Sequence, residues 1–159
     1  MIVVSLLGLF IAAVYETVIT GLRTVNAADD RAYLQQRLSQ TLELFAREAS
    51  VANNVDEART DEFNFDTPST DLDYEYDSSA GTLSREGDVI LRHLTAFDFD
   101  YVDCLGATHT GTVSGSAEDT LRVVQVTATM ARDTETFSMT SSTFLRNMLG
   151  QESGTCGSS

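Results

Sequence analysis

The sequence predicts an α+β fold, in which one long N-terminal helix packs on an antiparallel β-sheet. Three observations predict it. A helical pattern runs without proline or glycine from Leu22 to Asn53, the apolar period switches from 3.6 to 2 beyond residue 55, and Gly/Ser-rich stretches punctuate the rest of the chain. The chain has 159 residues, enough for one domain with a proper core plus an appended segment but not for two full domains.

The helix comes first. Residues 1–22 are apolar enough to cross a bilayer, which needs about 20 residues. The character changes after Arg23, but the helical period continues. Leu34, Leu38, Leu42, Phe45, Ala49 and Ala52 recur at steps of four and three and so share one face. The opposite face carries Asp30, Arg37, Gln40, Glu43, Arg47 and Glu48, and Asn53-Asn54 is the expected stop. This divides the chain into an apolar half-helix (1–22), an amphipathic half-helix (23–54) and a sheet domain with a Gly/Ser-rich tail (55–159).

The strands come next, in order. Phe63 and Phe65 alternate with Asn64 and Asp66. In DLDYEYD, Leu72, Tyr74 and Tyr76 face one way, and Asp71, Asp73, Glu75 and Asp77 the other. SSAG reads as a turn and TLSRE as the return strand of a hairpin. DVILRHL and AFDFDYVD are the next two, the latter with Phe97, Phe99 and Tyr101 inward and Asp98, Asp100 and Val102 outward. A connection, GATHTGTVSGSAED, precedes TLRVVQVTATMA and the last strand, ETFSMTSSTFL. Alternation of this kind suits an antiparallel sheet with one buried face, and the amphipathic half-helix is the obvious cover.

Charge excludes whole classes of partner. There are 24 acidic and 10 basic residues, a net charge of −14, and every basic residue is arginine. Such a chain cannot neutralise a run of phosphates, so nucleic acid is excluded as a partner, and an anionic membrane surface is disfavoured. Two cysteines, Cys104 and Cys156, suggest one disulfide in an oxidising compartment. It would close a loop of roughly fifty residues and contribute on the order of 4 kcal/mol in the chain-entropy account.

No catalytic constellation stands out. His93 sits on an alternating strand, His109 in a polar segment, and neither GxSxG nor CxxC occurs. The chain is therefore expected not to be an enzyme and to need no cofactor. Calcium has weak candidates in Asp98, Asp100 and Asp103, and Asp71, Asp73, Glu75 and Asp77 repeat the spacing. Calcium takes six to eight converging oxygens, whereas a flat strand spreads alternate carboxylates about 7 Å apart. Solvated strand faces are the simpler expectation.

The opening stretch carries a resemblance. A signal peptide would show a positive n-region, which is missing here, although VNA before Ala28 could serve as a cleavage site. MIVVSLLGLFIAAVY, with Met1-Ile2-Val3-Val4, Gly8 and Ala12-Ala13, resembles the mature N-terminal segment of type IV pilins and type II secretion pseudopilins. In that family a leader ending in glycine is followed by an aromatic residue, which becomes N-methylated, then Thr-Leu-Val/Ile-Glu, then such an apolar run. Those residues would lie upstream of Met1. LTAFDFDYVDCLG and YEYDSSAGTLSRE resemble the larger minor pilins and pseudopilins, in particular the J-type subunit of type II secretion.

The resemblance implies a pilin-like fold, a disulfide near the C-terminus, and a structural role as a minor subunit at or near the tip of a pseudopilus or pilus. Implied partners are other pilin or pseudopilin subunits, the inner membrane before assembly, and a secreted cargo or outer-membrane channel. The implied location is the bacterial inner membrane, single-pass with a periplasmic head, or the assembled filament. Close packing of helices would use the small residues Gly8, Ala12, Ala13 and Gly21, with Glu16 reaching the headgroup level or pairing with a neighbour's arginine. The alternative is a signal-anchored or secreted periplasmic binding domain that holds calcium.

Overall fold

The structure, a computed structural model, describes residues 2–133 and 135–146; of these, the side chains of residues 2–9, 12, 13, 115 and 116 are not described. The helix α1 (Ile2–Ala49) runs for 48 residues, about 72 Å at 1.5 Å per residue. Leucine, alanine, arginine, glutamine and glutamate dominate its second half, all good helix formers. It ends at Ala49, four residues before the expected Asn53. The last turn tightens there, with Val51 N–H donating to Glu48 O and Ala52 N–H to Ala49 O, both 3.1 Å. Ser50 Oγ donates to Arg47 O at 2.7 Å, and the tightening draws Ala52 into the core.

Nine strands are found beyond the helix among the described residues: β1 (Asn54–Ala58), β2 (Glu62–Asp66), β3 (Asp71–Asp77), β4 (Thr82–Arg85), β5 (Asp88–Arg92), β6 (Leu94–Asp103), β7 (Thr108–Thr110), β8 (Leu121–Arg132) and β9 (Glu135–Phe144). The sequence pattern predicts one sheet, but the strands divide into two antiparallel sheets. One is a meander in the order β1-β2-β3-β4-β5, and the other runs β7-β6-β8-β9. The division falls at His93. This single residue between β5 and β6 has φ 65°, a left-handed conformation that redirects the chain. Ala131 N–H donates to His93 O, so β6 enters the second sheet beside β8 instead of continuing the meander. Nearby, Gly81 (φ 61°) permits Leu94 N–H to reach its carbonyl; a Cβ there would lie 2.7 Å from Leu94 O. The connection between β6 and β8 also holds more structure than its composition suggests, namely β7 and a short 3-10 helix, Gly115–Thr120.

Both sheets and the helix share one core. The expected helix stripe of Leu34, Leu38, Leu42, Phe45, Ala49 and Ala52 is buried throughout. It meets Phe63, Phe65, Leu72 and Tyr74 from the meander and Phe97, Phe99, Tyr101, Val124, Val126 and Met130 from the second sheet. Phe45 is the hub. Its ring lies edge-on to Tyr74 at 5.1 Å and within 5.9 Å of Phe63 and 5.6 Å of Phe99. The chain is thus an α+β protein with one long N-terminal helix lying on antiparallel sheets.

Candidate functional site

Among the described helix residues the first to be fully buried is Leu34, and Asp30, one turn below, is paired with Arg132 of the head. The preceding turns project from the head. On that projecting half, Phe10, Ile11, Val14, Tyr15, Val18, Leu22 and Val25 are each between 47% and 67% exposed. At 100° per residue all but Phe10 fall within about 50° of one line along the helix, and Phe10 lies about 90° from it. The buried stripe from Leu34 to Ala49 falls about 180° away. The helix therefore turns one apolar face into its own head and, lower down, the opposite apolar face to its surroundings. Glu16, Thr17, Thr20 and Thr24 form a polar seam on the head's side of the projecting half, and Thr24 Oγ1 donates to Thr20 O at 3.0 Å.

The residues that the resemblance implies for assembly lie on this same half. Gly8, Ala12 and Ala13 fall where no side chain is described. Glu16 is exposed, and a Cβ built on Gly21 would meet nothing within 4 Å in this chain. Among the described residues no helix is long and apolar enough to cross a membrane; residues 1–9, 12 and 13 of the span expected over 1–22 lie outside those whose side chains are described.

The helix is fixed to the head by a polar network at its far end. Glu48, half-buried, accepts two hydrogen bonds from Arg85, both at 2.9 Å, and one from the Tyr74 hydroxyl at 2.6 Å. Two parallel N–H···O bonds between a guanidinium and a carboxylate fix orientation as well as distance. Burial, followed by the bond to Glu48, pushes the Tyr74 hydroxyl's pKa far above its ordinary value. Tyr101 is driven the same way, by burial first and then by the charge of Asp100, while its hydroxyl donates to Arg59 O at 2.6 Å.

The outward face of the meander is crowded with carboxylates. Asp66 faces Asp71 across β2 and β3, and Asp73 and Glu75 continue along β3. Asp71 is pushed up by a hydrogen bond to Asp66 and by its charge, and Asp56 by burial and then by Asp66. Asp73 is raised by burial, then by Glu75 and Glu86.

The second acidic run does not converge. Asp98 stands opposite Thr127 on β8, and Asp100 sits between Thr110 and Gln125. Asp103 is already engaged: Oδ1 accepts from Leu105 N–H (2.9 Å) and Ala107 N–H (2.8 Å), and Oδ2 lies 3.0 Å from His109 Nε2. These bonds, the one to His109 foremost, hold the Asp103 carboxyl below its usual range. Among the described residues no group of three or more His, Cys, Asp or Glu is arranged to hold a metal ion. Cys104 is disulfide-bonded; Cys156, its expected partner, lies outside the described residues.

Sequence reasoning gave residues 1–22 as an apolar half-helix and did not separate the stripe of Ile11, Val14, Tyr15, Val18, Leu22 and Val25 from the polar seam of Glu16, Thr17, Thr20 and Thr24. The signal was present in the spacing of Ile11, Val14, Val18 and Val25 against Glu16, Thr20 and Thr24. No protein-family model, no curated protein and no solved structure matches this chain.

Proposed function

We propose that this chain is a structural subunit of a type IV pilin-like filament, either the pseudopilus of type II secretion or a type IV pilus. The observation that carries the proposal is the pair of opposed apolar faces on one continuous helix. A helix that served only its own head would present polar residues on its far side. Here Ile11, Val14, Tyr15, Val18, Leu22 and Val25 offer a second apolar surface on the side away from the head. In a filament this arrangement puts the heads outside and the stripes at the axis, where they pack on one another. An apolar strip of this size stranded in water would be costly, at about 25 cal/mol per Å² of apolar surface left uncovered.

Before assembly the same half-helix holds the subunit in the inner membrane, with the head in the periplasm. Transfer from lipid into the filament core then exchanges one apolar surrounding for another, and the association depends on close packing. The small residues Gly8, Ala12, Ala13 and Gly21 support such packing. The role is structural, without catalysis, and the resemblance of the head to minor subunits favours a low-copy position at or near the tip. Other pilin subunits are the partners, with a secreted cargo or an outer-membrane channel beyond them.

The test is the N-terminus of the protein isolated from its native membrane, read by mass spectrometry. An N-methylated aromatic residue a few positions ahead of MIVVSLLGLF is the expected result. A mature chain beginning at Ala28 would remove the anchor and the assembly stripe together, and the proposal with them.

A further inference from the structure

Two side-chain oxygens on the outward face of the meander are buried and accept no hydrogen bond from any described residue. They are Oδ1 of Asn64 and Oδ1 of Asp73. Their residues stand directly opposite each other, Asn64 on β2 and Asp73 on β3. Asp73 turns its backbone the other way: its N–H donates to Glu86 Oε1 at 2.6 Å, and its carbonyl accepts from Glu86 N–H at 2.9 Å. Both backbone groups of a strand residue point to one side, so Asn64 and Asp73 form a pair without backbone hydrogen bonds, the kind that brings side chains closest. Their Cβ atoms are then roughly 5 Å apart, near enough for the side chains to bond.

Two buried acceptors side by side need a donor between them, because a buried oxygen without one is costly. An ionised Asp73 offers only acceptors, whereas a protonated one carries an O–H. The charges around it favour the proton. On β3 itself, Asp71 and Glu75 lie two residues away on either side. On β2, Glu62 and Asp66 flank Asn64, and on β1, Glu57 stands opposite Asn64. From the turn after β4, the Glu86 carboxylate reaches the Asp73 backbone. The two arginines of these strands are engaged elsewhere, Arg59 with Glu57 and Glu62, and Arg85 with Glu48. Burial, then the charges of Glu75, Glu86 and Glu57, accordingly holds the Asp73 carboxyl above its usual range.

We propose that Asp73 is a proton-operated clasp between β2 and β3. In the folded head its carboxyl keeps a proton and donates it in a hydrogen bond to Asn64 Oδ1, so both buried oxygens are satisfied. As pH rises the proton leaves, and a further carboxylate is added among Glu57, Glu62, Glu75 and Glu86. The two strands then lose the bond at their middle. A carboxyl whose folded value lies above its unfolded one costs stability at high pH, and that cost vanishes once pH falls below the ordinary aspartate value of about 3.9. The meander is therefore tightest in mildly acidic surroundings and loosens as they become alkaline. A calcium ion fits less well, since it takes six to eight converging oxygens and these two are closed to water. The clasp lies wholly within the head and does not depend on the filament role.

The experiment follows the carboxyl carbon of Asp73 by carbon-13 NMR across pH, in the full chain in detergent micelles. The expected midpoint lies above that of the same carboxyl in the urea-unfolded chain. It also lies above that of Asp77 on the same strand, which its hydrogen bonds to Ser79 and Ala80 hold low. A midpoint at or below the unfolded one overturns the proposal; the Asn64 amide is then turned end for end and serves as the donor. Calcium chloride at constant ionic strength should leave the midpoint unmoved. A midpoint that falls when it is added marks a cation as the occupant and also overturns the clasp.

Thermal unfolding of Asp73→Asn gives a second reading, because the amide keeps the shape and supplies a permanent donor to Asn64 Oδ1. The variant's unfolding temperature should gain on that of the wild type as pH rises from about 3 to about 8. A difference that stays constant over that range overturns the proposal. If Asp73→Asn does not fold, the wild-type midpoint alone decides, with the carboxyl assigned through its bonded neighbours.

Discussion

At the scale of single residues, two kinds of carboxylate act in opposite directions. Asp103 is held below its usual range by His109 and two backbone N–H groups, so its contribution is present above the unfolded value and lost as pH falls through the lowered one. Asp71 is held above its usual range by Asp66, so ionising it costs stability, and that cost disappears as pH falls below the ordinary aspartate value. Asp71→Asn should therefore stabilise the head at pH 7 and have no effect near pH 3. Asp103→Asn should destabilise at pH 7 and flatten the acid limb of the stability curve. Thermal unfolding across pH measures both. Phe45 is different in kind, because it anchors three aromatic rings of both sheets. Phe45→Ala should cost about 3–5 kcal/mol, read from denaturant unfolding. Glu48→Ala leaves the half-buried Arg85 guanidinium and the buried Tyr74 hydroxyl without their acceptor, and should cost about 1–3 kcal/mol.

At the scale of elements, the helix has two apolar faces and buries one of them in its own head. Its upper stripe was legible in the sequence because Leu34, Leu38, Leu42, Phe45 and Ala49 keep a regular period against a charged opposite face. All five are buried. The hairpin of β3 and β4 and the inward set Phe97, Phe99 and Tyr101 were legible for the same reason, with a period of two. The partition into two sheets was not legible. It depends on His93 adopting φ 65°, and histidine in a strand-like context carries no such signal. The position of the helix end was also missed, by four residues, because the turn that ends it is stabilised by the burial of Ala52 and not by a capping residue. A prediction belongs to this scale. Val14 and Val18 take no part in the core of the head. Val14→Asp with Val18→Asp should therefore leave the unfolding temperature of the head unchanged while abolishing incorporation into a filament, as seen by near-ultraviolet circular dichroism and by pull-down of assembled material.

At the scale of the molecule, the dominant property is charge. A net charge of −14 repels itself within the folded head, most strongly on the meander face where Asp66, Asp71, Asp73 and Glu75 lie close together. Salt screens that repulsion, since the Debye length falls from about 10 Å at 0.1 M to about 3 Å at 1 M. The unfolding temperature should therefore rise between about 0.1 M and 1 M sodium chloride, as measured by differential scanning calorimetry. A falling temperature would mean that the ion pairs at Glu48, Asp30 and Glu62 outweigh the repulsion.

The amino-acid order by itself determined the fold class, the long helix, the buried stripe from Leu34 to Ala52, most strand positions, and the acidity of the surface. These are local properties: period, propensity and composition act over a few residues and survive any arrangement of the elements. Tertiary structure decided the rest. It split the strands into two sheets at His93, placed Asp103 among its own backbone donors and apart from Asp98 and Asp100, and gathered Arg37 from the helix and Arg92 from β5 into one groove. It also set the direction of the head, against which the apolar stripe of the projecting half is seen to face the other way. Such relations join residues far apart in the chain, and only the packed core, by fixing where each element lies, brings them together.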